Sequence, residues 1–198
     1  LSHSLSWALR HAAPELGLTM TSDGFVPVSE ILQCKHPKLK GWSLEDIQSV
    51  VETSDKQRFK LQERPAAEYK KSKSPAAEEG VLGPQDMDDT VMCIRANQAY
   101  TVKTVDPEKL LTRLEAAELE TLSVIVHGTY TDPWTQHIRQ EGLKRMNRQH
   151  IHCASGLPTD DGVISGLRKS CNVYVFIDAA KCAADGIAFY RSDNGVLL

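Results

Sequence analysis

The sequence has no long apolar run, since none of its hydrophobic stretches approaches the ~20 residues that a membrane-spanning helix needs. Its first residues, Leu1-Ser-His-Ser-Leu-Ser6, lack the basic start and apolar centre of a secretion signal. The chain does not begin with Met, which is the pattern of a trimmed chain or a fragment. We therefore expect an intracellular protein, cytoplasmic or nuclear, that does not bind membranes.

Cysteine pairs at the spacing of a metal or redox site are also missing. The chain has five cysteines, an odd number, and no two of them form C-x-x-C. This argues against a disulfide framework and a zinc site, and it favours a reducing compartment. We predict that most of these side chains are small apolar fillers and that the protein holds no metal. The cysteines are Cys34, Cys93, Cys153, Cys171 and Cys182.

Neither G-x-G-x-x-G nor a P-loop occurs, so a bound nucleotide would be held without either common phosphate cradle. A basic excess is absent too, because the formal net charge is −3. Residues 62–90 contain seven acidic and four basic side chains, which accounts for that whole net charge. Any polyanion site must therefore be local and built from a few converging arginines.

The pattern of the first half predicts helix, strand, helix, helix and a two-stranded wing, which is the order of a winged-helix domain over residues 1–98. Between the wing strands, residues 62–90 are rich in Ala, Pro, Glu, Lys and Ser and are predicted to be a disordered insertion. The predicted elements are a helix over Leu1–His11, a turn and strand over Thr21–Val28, helices that begin at Ser29 and Ser43, and strands at Arg58–Gln62 and Val91–Arg95.

The second half is organised around Thr121–Thr129. Leu122–Val126 is predicted to be a buried strand that ends in a polar tip, His127-Gly128-Thr129. A glycine at a strand end lets a flat ligand approach the backbone, although an ordinary strand-to-turn transition has the same pattern. Residues 99–198 are predicted to be strand-rich and α+β. The other predicted elements are strands at Tyr100–Val105, His150–Ala154 and Val173–Asp178, helices at Pro107–Glu115, Trp134–Leu143 and Ala179–Asp185, and a turn at Ser192–Gly195.

Three arginines lie at the ends of predicted elements. Arg10 ends a helix, Arg95 ends an apolar strand and Arg148 precedes a strand. Side chains from separate segments can converge at such positions, and arginine pairs phosphate oxygens through a planar fork. Two simpler interpretations stay open, namely solvated surface arginines and, for Arg10 with His11, cations at the negative pole of a helix.

Six segments resemble the RNA 2′-phosphotransferase family, the tRNA-splicing enzymes that remove a 2′-phosphate by using NAD. The matches run in family order over essentially the whole chain, and Arg95-Ala-Asn-Gln98 together with Leu9-Arg-His11 is specific. The segments are Leu5-Ser-Trp-Ala-Leu-Arg-His11, Asp23-Gly-Phe-Val-Pro-Val28, Ile94-Arg-Ala-Asn-Gln98, His127-Gly-Thr129, Arg148-Gln-His-Ile-His152 and Arg191-Ser-Asp-Asn-Gly-Val196.

The resemblance implies a winged-helix RNA lobe, residues 1–98, and a β-rich NAD lobe of ADP-ribosyltransferase type, residues 99–198. It implies NAD as co-substrate without a metal, and RNA with an internal or terminal 2′-phosphate, such as spliced tRNA, as partner. We expect a monomer. The family's essential residues fall on Arg10, His11, Arg95 and Arg148, of which the first three would bind the substrate phosphate. The ADP-ribosyltransferase signature falls on His127, His152 and Val196.

The resemblance also assigns the remaining dinucleotide contacts. His127, the Gly128 backbone and Thr129 would hold the nicotinamide side, and Ser165, Gly166 and Arg168 would contact the rest of NAD. In the family reaction, the 2′-phosphate attacks the anomeric carbon of the nicotinamide ribose and expels nicotinamide. The ribose 2″-hydroxyl then attacks the phosphorus, which gives 2′-hydroxyl RNA and ADP-ribose 1″,2″-cyclic phosphate. Fixed cations must hold the RNA 2′-phosphate beside the pyrophosphate of NAD, because both groups are anionic. His11 is our candidate for the proton transfers of the second step.

Two other functions stay open. An ADP-ribosyltransferase acting on nucleic-acid phosphate ends would share the NAD lobe, but its ADP-ribosyl product would persist. A non-catalytic winged-helix nucleic-acid binder is disfavoured by the intact arginines and by the lack of a basic surface. The chain departs from the family at Ala99-Tyr100-Thr101, where Gly-His-Ser is usual, which affects the expected turnover rate. Relatives usually continue past Val196, so we expect a C-terminal segment to be missing.

Overall fold

The computed structural model describes residues 1–69, 89–160, 163 and 165–198. The chain contains helices and short antiparallel sheets, which confirms the predicted α+β class. It forms two compact units. Unit 1 comprises residues 1–54, 59–96 and 102–106, and unit 2 comprises residues 55–58, 97–101 and 107–198. The predicted lobe boundary between residues 98 and 99 lies inside the segment 97–101 of unit 2.

Unit 1 is built on a three-stranded antiparallel sheet of order β1-β3-β2. Its strands are β1 (Val26–Pro27), β2 (Phe59–Pro65) and β3 (Thr90–Ala96), and its helices are α1 (Ser2–Trp7), α2 (Val28–Gln33) and α3 (Leu44–Thr53). The chain continues from α1 into a wider π-helical turn, Ala8–Ala12. Leu61 of β2 lies opposite Ile94 of β3, so the predicted pairing of the two wing strands is confirmed.

Local signals placed α3 correctly. The Ser43 hydroxyl accepts from the Asp46 amide at 3.2 Å, and the Asp46 carboxylate accepts from the Ser43 amide at 2.9 Å. This capping box satisfies two amides that the helix itself leaves without partners. Ile47, one turn further on, is fully buried and fixes the helix to the core of unit 1.

Regular structure extends into the segment 62–90, which the sequence predicted to be disordered. β2 runs to Pro65, a 3₁₀ helix follows at Ala66–Tyr69, and β3 begins at Thr90. The Ala66 amide donates to the Asp89 carbonyl at 2.8 Å. Backbone pairing thus continues past the last large apolar residue of β2, which the composition of the segment did not show. The rest of the predicted insertion, 70–88, lies outside the described residues.

The described residues of unit 2 form two two-stranded antiparallel sheets. Its strands are β4 (Thr112–Arg113), β5 (Val126–Thr129), β6 (Val173–Phe176) and β7 (Tyr190–Arg191), with β4 paired to β7 and β5 to β6. Its helices are α4 (Pro107–Leu110), α5 (Ala116–Thr121), α6 (Thr131–Pro133), α7 (Arg139–Glu141) and α8 (Ala179–Ala184). A π-helical turn, Trp134–Ile138, joins α6 to α7.

The central strand lies later than predicted. β5 begins at Val126, so His127, Gly128 and Thr129 lie within the strand and not at its tip. Helix α5 ends at Thr121, and Leu122 and Ile125 pack with the cluster around Leu119, Cys153 and Leu197. An apolar run fits such a core as well as it fits a strand, which is why the sequence pattern misplaced the element.

Other strands and helices of the prediction are shortened or absent. Tyr100–Val105 forms no strand. The chain turns at residues 103–104, and the buried side chains of the segment are those of Tyr100, Val102 and Val105. The predicted helix 107–115 ends at Leu110, because Thr112 and Arg113 pair with β7. Of His150–Ala154, only Cys153 and Ala154 form bridges. β6 alternates between half-buried and exposed residues instead of being buried on both faces.

Several predictions for unit 2 are confirmed. The helical segment that begins at Thr131 ends at Gly142, whose φ of +79° favours glycine. α8 forms where predicted, and the 192–195 turn closes through Ser192 N–H to Val196 O at 3.0 Å.

The cysteines are free thiols, two in unit 1 and three in unit 2, and burial raises the pKa of Cys153 to about 12. No helix in the described ranges is long and apolar enough to cross a membrane.

Candidate active site

The proposed phosphate-binding residues of unit 1 come from two segments that pack together. Arg10 and His11 belong to the π-helical turn Ala8–Ala12, which packs against β3, and Arg95 is the penultimate residue of β3. Arg10 is half-buried, His11 is exposed and Arg95 is buried. Unit 1 therefore brings together the segments of all three residues that the sequence assigned to the substrate phosphate.

Arg95 is held by the turn that precedes β1. Its Nη1 donates to the Asp23 carbonyl at 3.1 Å, and its Cζ lies 4.8 Å from the centre of the Phe25 ring. The carbonyl occupies one of the five N–H donors of the guanidinium, and the ring face adds a cation–π contact. A long, flexible side chain is thus fixed at its charged end.

Unit 2 contains a cavity of about 560 Å³ that brings together four residues the sequence assigned to the site. They are His127, Thr129, Arg148 and His152. The remaining wall combines the segment between Pro133 and Asn147 with residues beside His152. Apolar side chains in this wall are Pro133, Ile138, Leu143, Met146 and Ile151. An apolar wall with a few polar groups is the usual composition of a small-molecule site.

The cavity is electropositive. Lys144, Arg145 and Arg148 line it, and among the described residues of the lining Glu141, which is paired with Lys144, is the one carboxylate. Partial burial and the nearby charge of Arg168 lower the pKa of Arg148, although an arginine stays protonated at any working pH. An anion bound beside Arg148 would relieve this repulsion between the two guanidinium groups.

Lys144, Arg145 and His150 are cavity residues that the sequence pattern did not single out. The signal was present, because three of the five residues from Lys144 to Arg148 are cations. Arg145 also holds the segment, since its Nη1 donates to the Arg148 carbonyl at 2.7 Å. Burial, followed by the charge of Arg145, lowers the pKa of His150. His150 is therefore a neutral cavity residue near neutral pH.

A hydrogen bond selects the tautomer of His127. Its Nδ1 lies 2.7 Å from the His152 carbonyl oxygen. A carbonyl only accepts, so Nδ1 carries the proton and donates it. In the neutral ring, Nε2 is then an acceptor, which suits the hydroxyl of a ribose. The same bond ties His127 in β5 to His152 in the segment before the bridge residues Cys153 and Ala154, and both histidines line the cavity.

On the edge of β5 that does not pair with β6, Gly128 lies two residues beyond the bridge between Val126 and Ala154. Val126 exchanges backbone hydrogen bonds with Ala154 at 3.0 and 2.9 Å, and this bridge is isolated. Because backbone groups alternate along a strand, the N–H and C=O of Gly128 point to the same side as those of Val126. On that side, the His152 carbonyl accepts from the His127 ring. The Gly128 amide and carbonyl thus face the side of the strand on which the cavity residue His152 lies.

The absence of a side chain at Gly128 serves packing. A Cβ there would lie 2.7 Å from both Cys171 Sγ and Leu167 Cδ2. From the sequence, this glycine was predicted to let a flat ligand approach the backbone. In the structure, the side chains of Leu167 and Cys171 fill the space beside its Cα. Gly128 is also not among the described residues that line the cavity, although both of its neighbours are.

We expect Gly128→Ala to lower the free energy of unfolding by about 1–3 kcal/mol, because the new methyl group overpacks the contact with Leu167 and Cys171. Urea denaturation measures the change. Adding Cys171→Ala, which removes the Sγ, should recover part of the loss in a double-mutant cycle. Unfolding free energies equal to within about 0.5 kcal/mol for the parent and Gly128→Ala would contradict this packing role.

The segment Ser165–Arg168 packs on Cys153 and Ala154, the residues that follow His152. Gly166 has a φ of +105°, and a Cβ there would lie 2.5 Å from the Cys153 carbonyl, so the segment is closely packed on the chain that includes His152. Leu167 packs with Val126 and Ala154. Arg168 is exposed and close enough to lower the pKa of Arg148. None of Ser165, Gly166 and Arg168 is among the described residues lining the cavity.

Val196, the third signature position, is fully buried in the last turn of the chain. Its amide donates to Ser192 Oγ at 3.1 Å, and its neighbour Leu197 pairs with Cys153 through hydrogen bonds of 2.7 and 3.1 Å. Val196 therefore immediately precedes the residue that pairs with Cys153, the neighbour of His152. In the part of the chain that the structure describes, no group of three or more His, Cys, Asp or Glu side chains could hold a metal ion.

Comparison with known proteins gives a consistent result. A family model described as "RNA 2'-phosphotransferase, Tpt1 / KptA family" matches residues 1–198. The tRNA 2'-phosphotransferase 1 of Danio rerio is 42% identical over 198 residues, which cover 100% of this chain and 76% of the relative. The protein of the same name from Mus musculus is 44% identical over 198 residues, covering 100% and 68%. The tRNA 2'-phosphotransferase of Saccharomyces cerevisiae is 32% identical over 201 residues, covering 100% and 76%.

Proposed function

The chain belongs to the RNA 2′-phosphotransferase family and is a transferase that removes a 2′-phosphate from RNA; from this premise we propose that the phosphate acceptor is NAD. The proposed substrate is spliced tRNA with its splice-junction 2′-phosphate. The products are 2′-hydroxyl RNA, nicotinamide and ADP-ribose 1″,2″-cyclic phosphate. The observation that supports this function best is the electropositive cavity of unit 2, which His127, Thr129, Arg148 and His152 line.

We assign the two units to the two substrates. Unit 1 is the winged-helix RNA lobe, supported by the element order α1, β1, α2, α3, β2, β3. Unit 2 is the NAD lobe of ADP-ribosyltransferase type. The enzyme is proposed to act as a monomer in the nucleus or cytosol, and its five free cysteines suit those reducing compartments.

The cavity of unit 2 has the chemistry that NAD needs. Its cations, Lys144, Arg145 and Arg148, match the two negative charges of a pyrophosphate. The amide and carbonyl of Gly128 provide one donor and one acceptor, the pair that the carboxamide of nicotinamide complements. His127 Nε2 and the Thr129 hydroxyl are proposed to bind ribose hydroxyls. Ser165, Gly166 and Arg168 are proposed to support the outer part of the dinucleotide.

The cations of unit 1 bind the RNA 2′-phosphate in this proposal. Arg10 and Arg95 pair with its oxygens, and His11, which is exposed, can both donate and accept a proton. Expulsion of nicotinamide by an anionic phosphate needs positioning more than activation of the nucleophile. This fits Val196 at a signature position where many ADP-ribosyltransferases have a glutamate.

The second chemical step needs proton transfers. The 2″-hydroxyl must lose a proton as it attacks the phosphorus, and the departing RNA 2′-oxygen must gain one. His11 is the proposed acid and base, because an imidazole titrates near neutral pH. Arg148 is proposed to stabilise the charge that develops on the transferred phosphoryl group.

The deciding experiment is incubation with a short oligonucleotide that carries one internal 2′-phosphate, with and without NAD. Nicotinamide, the cyclic phosphate and dephosphorylated RNA should form in equal amounts, and only when NAD is present. The matched control is the same oligonucleotide with the phosphate at its 3′ end. A stable ADP-ribosylated RNA would instead indicate an ADP-ribosyltransferase, and RNA binding without nicotinamide release would indicate a nucleic-acid binder.

A further inference from the structure

Unit 1 contains a charged cluster that the proposed reaction does not use directly. Arg64, near the end of β2, donates from Nη1 to Asp23 Oδ2 at 2.6 Å. Its Nε donates to Glu68 Oε2 at 2.9 Å. Both Arg64 and Asp23 are largely buried, with side chains 18% and 20% exposed. An ion pair this sheltered from water holds its partners more firmly than an exposed surface pair does.

Asp23 connects this ion pair to Arg95. The Asp23 carboxylate is held at both oxygens, because Thr21 donates its hydroxyl to Oδ1 at 2.6 Å while Arg64 binds Oδ2. The Asp23 carbonyl oxygen in turn accepts from Arg95 Nη1 at 3.1 Å. The side chain of Asp23 is therefore anchored by Arg64, and its backbone orients Arg95.

Phe25 forms a second connection between the two arginines. The Arg64 Cζ lies 4.6 Å and the Arg95 Cζ 4.8 Å from the centre of this ring, which is 1% exposed. The turn that places Asp23 and Phe25 is itself fixed: the Phe25 amide donates to Thr21 Oγ1 at 3.0 Å, and Gly24 adopts a φ of +87°. The ring and the carbonyl thus limit the guanidinium of Arg95 in two directions.

Electrostatics require the carboxylate as well as the ring. The guanidinium groups of Arg64 and Arg95 lie over the same aromatic ring and repel each other. Asp23 contacts both groups, since its carboxylate accepts from Arg64 and its backbone carbonyl accepts from Arg95, and it supplies a negative charge beside them. Burial tends to raise the pKa of Asp23, but hydrogen bonds from Thr21 and Arg64 outweigh it and hold this pKa below its usual range. The carboxylate is therefore ionised at any pH at which the enzyme would work.

We propose that Arg64, Asp23 and Phe25 are positioning residues that hold the Arg95 guanidinium in the orientation that binds the RNA 2′-phosphate. This inference rests on the proposed function of Arg95. It adds Arg64 to the machinery, a residue that the sequence placed in a disordered insertion. It also gives a role to the 3₁₀ helix that follows β2, because Glu68 of that helix binds the other side of Arg64.

The test compares Arg64→Gln and Asp23→Asn with Arg64→Lys, and with Glu63→Gln as the matched control. Glu63 is an exposed neighbour on the same strand. With NAD saturating, Arg64→Gln and Asp23→Asn should each lower kcat/KM for the 2′-phosphorylated oligonucleotide by about 10- to 100-fold, the cost of misplacing a catalytic group. KM for NAD should not change. Arg64→Lys, which keeps the charge beside Asp23, should recover part of the loss, and Glu63→Gln should match the parent.

A spectroscopic measurement follows Arg95 itself and needs no turnover. In the folded protein, the Phe25 ring current should shift the Arg95 Nε–Hε resonance in a ¹H–¹⁵N spectrum, and Phe25→Leu identifies the signal by removing that shift. Arg64→Gln and Asp23→Asn should move and broaden this resonance, whereas Glu63→Gln should leave it in place. Thermal unfolding of every variant checks that the fold is intact.

The outcomes separate this inference from the proposed function. An inactive parent protein would overturn the proposed reaction, and the resonance would still report whether Arg64 and Asp23 orient Arg95. If the parent is active, the positioning role alone would be overturned by two results together. These are values of kcat/KM for Arg64→Gln and Asp23→Asn within about threefold of the parent, and an Arg95 resonance that neither substitution moves.

Discussion

Replacement of Arg148 by alanine should lower kcat/KM for a 2′-phosphorylated oligonucleotide by about 10²–10³-fold, the loss that follows removal of one preorganised charge-stabilising donor. Arg148 lines the cavity in unit 2, and the desolvation and neighbouring charge that lower its pKa would both be offset by a bound anion. Its role is therefore expressed when substrate binds and not in the stability of the free protein.

The stability of the Arg148→Ala protein should differ from that of the parent by no more than about 0.5 kcal/mol. The backbone carbonyl of residue 148, which accepts from Arg145, survives the substitution. Arg113→Ala is the matched control, since Arg113 is an exposed arginine of the same unit outside the cavity lining. Arg148→Lys should be intermediate, because an ammonium keeps the charge but not the fork. Turnover of Arg148→Ala within about threefold of the parent would remove Arg148 from the mechanism.

Locally encoded parts of the fold were predictable from the sequence. The cap at Ser43, the pairing of β2 with β3 and the helix stop at Gly142 depend on residues close to one another in the chain or on simple alternation. The position of β5 was not predictable in this way. Its pairing partner is β6, some 45 residues further on, and the apolar residues before Val126 pack into a core cluster instead. A non-local contact thus decided between two structures that the same run of residues permits.

In the candidate site, too, the sequence predicted what depends on local pattern and missed what depends on contacts between distant residues. Arginines at element ends indicated an anion site, and only the family resemblance, now confirmed by the full-length match, gave them roles. Lys144, Arg145 and His150 were missed because their segment becomes a cavity wall only when it lies beside β5 and His152. The contact of Arg64 with Asp23 joins residues 41 positions apart, so no local pattern in the sequence contains it.

Arg95 should behave differently from Arg148 when it is replaced. We expect Arg95→Met to lower kcat/KM for the 2′-phosphorylated oligonucleotide by about 10²–10³-fold, with the affinity for NAD unchanged. The residues proposed to hold NAD belong to unit 2, whereas Arg95 belongs to unit 1. Arg148→Ala, in contrast, should weaken NAD binding as well as turnover. Calorimetric titration with NAD, beside steady-state kinetics, distinguishes the two patterns.

Unlike Arg148, Arg95 also contributes to stability. It is 6% exposed, and its replacement leaves the Asp23 carbonyl without this donor and Phe25 without this cation. Arg95→Met, which keeps apolar volume, should therefore lower the free energy of unfolding by about 1–3 kcal/mol, measured by urea denaturation at a temperature where both proteins are folded.

Lys60→Gln is the matched control for the effect of Arg95→Met on turnover, because Lys60 is an exposed cation directly opposite Arg95 in the β2–β3 register. If Lys60→Gln reduced turnover as much as Arg95→Met, only the positive charge of the strand pair would matter. An Arg95→Met protein that lost NAD affinity together with turnover would contradict the assignment of Arg95 to the RNA phosphate.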